Sequence, residues 1–170
     1  MISNKFIHET NFDFDLEYIR NIVLFKSKDK RFKSHQNNVN QDSYLSELQK
    51  CYPFLSSTYN IYVTKPFGII SPHVDAARNV ALNIPISGTE GSQTIFYDYK
   101  QEPVFYNSDF YVAKFINSKQ IKEVYKFELR QPTLIDTTLP HSVKASKYER
   151  IILSWSALPE YKLQDLISKF

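Results

Sequence analysis

The sequence predicts a mainly β protein, an antiparallel sandwich or barrel of the jelly-roll type, with helices packed on one sheet. Three observations carry this prediction. From Thr58 onward, short runs rich in β-branched and aromatic residues alternate with polar turns: NIYVTKPFGII, NVALNIPI, QTIFYDY, DFYVAKFI, EVYKFEL, PTLIDT, HSVKA and RIILSWSAL. Two of the three glycines fall in one turn, SGTEG, which suits a tight hairpin between the second and third runs. Both ends of the chain have apolar residues at helical spacing instead.

Residues 1–57 read as a helical N-terminal part. Phe12, Leu16, Ile19 and Val23 recur at roughly helical spacing with charges between them. The polar, basic stretch KSKDKRFKSHQNNVNQDS reads as an exposed loop. A helix from Ser43 to about Leu55 follows, with Leu45, Leu48, Tyr52 and Leu55 as its stripe and Pro53 ending or kinking it. Residues 58–158 hold the jelly-roll core. Residues 159–170 read as a C-terminal amphipathic helix, with Pro159 in its first turn and Leu163, Leu166, Ile167 and Phe170 on its apolar face.

A length of 170 residues fits one domain, and 42% hydrophobic residues with 15% aromatics supply a core. The net charge of +3 is spread along the chain, so a nucleic-acid partner is not expected. Cys51 is the single cysteine, which excludes an internal disulfide; it reads as a small apolar residue of its helix. Acidic residues precede any long apolar run, so neither a signal peptide nor a membrane span is expected, and a cytoplasmic location is the default. The oligomeric state is left open.

The chemistry concentrates in SPHVDAARNVALNIPISG, residues 71–88. His73 and Asp75 stand at i and i+2, so in extended chain they project to the same side. His141 lies at the start of a late strand, and in a jelly roll distant strands lie side by side. Two histidines and one carboxylate make a facial triad that leaves positions open on a metal. His8 and His35, in the front of the chain, read as solvated surface. Arg150 heads the apolar run IILSW, where a buried guanidinium is costly without an anionic partner. A small dicarboxylate inside the barrel would supply one.

His73-x-Asp75, His141 and Arg150 together resemble the signature of the Fe(II)- and 2-oxoglutarate-dependent dioxygenases. The nearest resemblance is to small aspartyl/asparaginyl- or prolyl-hydroxylase-like members, such as those encoded by phages, and it covers about residues 58–158. It implies a cupin-like double-stranded β-helix. His73, Asp75 and His141 would be the catalytic metal ligands for Fe(II), and Arg150 would bind the distal carboxylate of 2-oxoglutarate, with O2 as the other co-substrate. Members that halogenate lack the carboxylate, so Asp75 favours hydroxylation, with succinate and CO2 as co-products. Two departures stand out. Many members carry Ser or Thr two residues after the arginine; here the residue is Ile152 and the first hydroxyl is Ser154. The aspartyl/asparaginyl branch often lacks the carboxylate that Asp75 supplies.

Asn79 and Asn83 share one face of their strand and, with Ser154, are further candidates for binding the co-substrate; for the asparagines a solvent-facing or turn role is the alternative. Arg78 reads as a surface arginine, or as a holder of an acidic substrate group. Asp136 is either a partner for a ligand imidazole or a turn residue. Tyr97 and Tyr99 share a strand face opposite Phe96, and these aromatics read mostly as core. The segment at 100–111 reads as a lid or substrate-binding loop. The resemblance points to a peptide or an amino-acid side chain as substrate, with a free small molecule or a nucleobase as the alternatives. Two rivals stay open: a cupin-like metal-binding protein without oxygenase activity, and a jelly-roll structural or interaction protein.

Overall fold

The computed structural model describes residues 4–28, 36–75, 77–99, 104–107, 112–115 and 121–169, with only the backbone of residues 36, 104–107 and 112–115. Two six-stranded antiparallel sheets face each other. The strands are β1 (Ile7–Glu9), β2 (Gln36–Asn38), β3 (Leu55–Thr64), β4 (Ile69–Asp75), β5 (Val80–Ser87), β6 (Gln93–Tyr99), β7 (Val104–Asn107), β8 (Val112–Phe115), β9 (Ile121–Phe127), β10 (Thr133–Asp136), β11 (His141–Lys144) and β12 (Arg150–Ala157). The first sheet runs β1-β10-β5-β12-β3-β2 and the second β7-β8-β4-β11-β6-β9. Chain neighbours thus lie in opposite sheets through most of the barrel, which is the jelly-roll arrangement.

Three helices cover the outer face of the first sheet: α1 (Leu16–Ser27), α2 (Ser43–Cys51) and α3 (Leu163–Ile167). Alternation along the central strands explains why. On β12, Ile151, Leu153, Trp155 and Ala157 face the helices and join Ile19, Val23, Leu45, Leu48, Leu163 and Leu166 in the main core. Arg150, Ile152 and Ser154 take the other face and point between the sheets, toward a shared cavity. On β5, Val80, Leu82, Ile84 and Ile86 face the helices, and Asn83 faces the cavity. A smaller apolar cluster of Ile7, Phe96, Phe127, Leu129, Ile135 and Ile152 fills the space between the sheets beside that cavity. No helix of the described residues is long and apolar enough to cross a membrane.

Several sequence expectations are corrected. The front of the chain is not purely helical: β1 and β2 add edge strands to the first sheet. Leu55 does not close the second helix. That helix stops at Cys51, Pro53 follows, and Leu55 opens β3 fully buried. Leu16 is 42% exposed, and Phe12 packs from outside α1. The run NIYVTKPFGII breaks at Lys65–Gly68, a turn that places Phe67 at φ 57°. SGTEG is not a hairpin, because it carries the chain from β5 in one sheet to β6 in the other. Gly88 has φ +61° there, and a Cβ on it would lie 1.9 Å from the Glu149 carbonyl oxygen. Pro159 precedes α3 rather than starting it, while Leu163 and Leu166 bury as expected. Cys51 is exposed. Of the expected lid at 100–111, β7 is a strand paired with β8; the rest of that segment, like His35 and Phe170, lies outside the described residues.

Candidate metal centre

β4 and β11 are antiparallel neighbours, and their register sets His141 directly opposite His73. The two imidazole centroids are 4.4 Å apart. Asp75, two residues beyond His73, shares its face, and one ligand atom from each of His73, Asp75 and His141 lies within 4.8 Å of the others. Among the described residues, these three form the cluster of His, Cys, Asp and Glu able to share a metal ion. The tautomers follow from the backbone. His73 Nδ1 is 2.8 Å from the Ser71 carbonyl oxygen and His141 Nδ1 is 2.9 Å from that of Leu139. A carbonyl only accepts, so each Nδ1 donates there, and each Nε2 is the ring nitrogen left facing the site, where it would offer its lone pair to a metal.

Asp75 uses its two oxygens differently. Oδ1 lies 3.5 Å from His73 Nε2, while Oδ2 accepts a 2.6 Å bond from Arg78 Nε. Arg78 Nη1 donates to Ser154 Oγ at 2.8 Å, and its Cζ sits 5.9 Å from the Tyr62 ring centroid. Arg78 is therefore not a surface arginine; its side chain is only 14% exposed. Burial, the largest single influence, would raise the Asp75 pKa, but Arg78, His73 and His141 together outweigh it and hold the carboxyl well below the usual carboxylate range. Burial pushes His141 down to about 4, with His73 adding in the same direction. Asp75 and His141 thus hold the protonation states that metal binding would require.

This gives the metal-free protein a defined acid sensitivity. An unfolded histidine titrates near 6.5, whereas folded His141 resists protonation until about 4. Between those values the unfolded chain binds more protons, so stability falls as pH falls. The loss is on the order of 3 kcal/mol across the window. Asp75, with a lowered folded pKa, adds to the loss as pH drops below the ordinary carboxylate range. Urea unfolding of chelator-treated protein from pH 7 to 4.5 should show this slope, and His141→Ala should flatten it; a slope unchanged in that variant would contradict the assignment.

The triad opens into a cavity of about 520 Å³ that the first sheet closes from the other side. Arg150 lines it and is 2% exposed. Among the described residues no carboxylate pairs with its guanidinium, and burial alone pushes its pKa down to about 10, so it stays charged at neutral pH. Asn83 lines the same cavity with a buried Oδ1 that has no hydrogen-bond partner among the described residues. Asn79 does not line it: its Nδ2 donates to the Pro159 carbonyl oxygen at 2.7 Å, the turn role. Ser154 lines the cavity and serves Arg78. Asp136 accepts from the Thr138 N–H and hydroxyl, so it shapes a turn and does not touch His141. Tyr97 hydrogen-bonds Ser142, Tyr99 is 41% exposed and Phe96 is core. His8 is buried, not solvated, with an unpartnered Nδ1, because β1 joins the sheet opposite β10.

Thr64 escaped the sequence reading. It is the cross-strand partner of Arg150, is buried, and lines the cavity. Only the register of β3 against β12 pairs the two, and no local motif announces it.

No family model matches the chain, and no curated protein matches its sequence. Solved structures match in fold. The E. coli ycfD structure aligns at a TM-score of 0.47 and 14% identity, over 79% of this chain and 36% of that one. A Pseudomonas putida prolyl-4-hydroxylase aligns over 93% of this chain and 95% of its own, at a TM-score of 0.57 and 9% identity. The chain thus has a jelly-roll fold like that of this prolyl-4-hydroxylase, a likeness of architecture carried without likeness of sequence.

Proposed function

We propose that the chain is an Fe(II)- and 2-oxoglutarate-dependent oxygenase that hydroxylates an unactivated C–H bond of a peptidyl or free amino acid. The observation that carries this reading is a buried arginine with no carboxylate partner among the described residues, in the same cavity as a His-Asp-His cluster. A metal-binding cupin has no need of Arg150, and a structural jelly roll has no need of either feature. The residues present fit the group: each Nδ1 is engaged by a backbone carbonyl, Asp75 is ionised, and two imidazoles with one carboxylate are the donor set of a facial triad.

Iron with 2-oxoglutarate and O2 supplies the oxidation, in which one oxygen atom enters the substrate C–H bond while 2-oxoglutarate becomes succinate and CO2. The chain's own part is holding, charge and exclusion of water. His73 and His141 present Nε2, and Asp75 contributes one negative charge. Arg150 takes the distal carboxylate through charge-assisted hydrogen bonds, with the Thr64 hydroxyl across the strand pair in place of the one absent at Ile152. Asn83 turns its amide toward the same ligand. A cavity of about 520 Å³ holds this co-substrate and an amino-acid side chain together. An anaerobic titration with Fe(II) and then 2-oxoglutarate tests the reading. A visible charge-transfer band that needs both is expected. Metal binding without the band would favour the cupin, and no metal binding would favour the structural protein.

A further inference from the structure

Among the described residues, Arg78 is a largely covered cation of the cavity that the proposed chemistry leaves without a task. Its surroundings are specific. It leaves the chain just beyond β4, and its carbonyl accepts from Thr137 Oγ1 at 2.9 Å, which pins the backbone. Its Nε donates to Asp75 Oδ2 in the second sheet, its Nη1 donates to Ser154 Oγ in the first, and Tyr62, also in the first, is a further hydrogen-bond partner, so the guanidinium is held from both sheets. The result is a divided carboxylate. Oδ2 is turned to Arg78, and Oδ1 is turned to the Nε2 atom of His73.

From this division we infer that Arg78 is a positioning residue that restricts Asp75 to metal binding through Oδ1 alone. The inference rests on the metal reading above. A carboxylate free at both oxygens is able to chelate one cation with both. On a three-residue face, such chelation would consume a position that the triad otherwise leaves open. A 2.6 Å charge-assisted bond to Oδ2 opposes it, and Ser154 keeps the donor from following the carboxylate toward the metal. Arg78 contributes no ligand atom. It acts through Asp75, and its effect is to preserve coordination positions rather than to create affinity.

The test reads coordination directly, with Mn(II) as the only added ligand. Water-proton relaxation of the Mn(II)-bound protein counts exchangeable waters on the ion. Wild type keeps three open positions, and Arg78→Met, which retains the aliphatic stem but no donor, should keep two. The inner-sphere enhancement should therefore fall by about a third. Arg78→Lys, which restores one N–H donor, should recover most of it, a rescue that a packing role alone would not produce. Relaxation in Arg78→Met equal to wild type overturns the inference. Should Arg78→Met fail to fold, Ser154→Ala is measured in the same way. It loosens the second anchor, and an intermediate enhancement is expected; a wild-type value there overturns the inference equally. Failure of wild type itself to bind Mn(II) would instead remove the metal reading on which this rests.

Discussion

Arg150→Lys is expected to weaken 2-oxoglutarate binding while leaving metal affinity unchanged. Lysine keeps the charge but lacks the paired, coplanar N–H donors that match a carboxylate. A hydrogen bond to a charged group contributes about 1.5–3 kcal/mol, so the loss should be roughly ten- to hundredfold. Arg150→Ala should lose more, because the distal carboxylate would then be buried beside Thr64 with no cation. Fe(II) affinity without co-substrate should hold in both variants, since Arg150 is not among the clustered ligand atoms. Two titrations per variant decide the matter, Fe(II) alone and then 2-oxoglutarate on the loaded protein. Unchanged 2-oxoglutarate affinity in both variants would remove the main argument against a cupin. Joint loss of both affinities would make Arg150 a structural residue.

His73→Ala and His141→Ala should each reduce Fe(II) affinity by roughly a hundredfold or more, since losing even an outer hydrogen-bond partner of a ligand typically costs about 10–100-fold. Both variants should still fold. The two imidazoles stand on a cavity wall, and neither belongs to the apolar clusters that join the sheets and helices. Equilibrium dialysis against Fe(II) under anaerobic conditions, with circular dichroism for the fold, gives the readout. Full affinity in either variant would exclude the triad. His8→Ala serves as a control for metal affinity, though its buried position means that it should lower stability.

The parts of the molecule visible in the sequence are those governed by short-range alternation. His73 and Asp75 share a face because they are two residues apart, and Arg150 stands out as a charge at the head of an apolar strand. The helix-facing set on β5 and β12 follows from the same period of two. What escaped detection depends on register between distant segments. Thr64 opposite Arg150 is a fact of pairing, whereas His141 was legible as the partner of His73 and Asp75 and only its register opposite His73 was not. Arg78 read as surface because a guanidinium is usually exposed; the approach of Asp75, Ser154 and Tyr62 makes its burial tolerable. β1 and β2 have three residues each, too few to show alternation. Gly88 and Gly91 signalled a turn correctly, but not that the turn would change sheets.

The proposed metal ligands all stand on the second sheet, whereas Arg150, Asn83 and Thr64 all stand on the first. The cavity therefore works like the gap of a caliper, and any molecule that grips both the ligand cluster and Arg150 takes the measure of the sheet separation. Chain length in a diacid then becomes a selection criterion set by the packing of the whole barrel rather than by one side chain. Such a molecule also acts as a rivet. Its binding should slow amide hydrogen exchange in β4 and β11 on one jaw and in β12 and β3 on the other, across elements that share no backbone ladder.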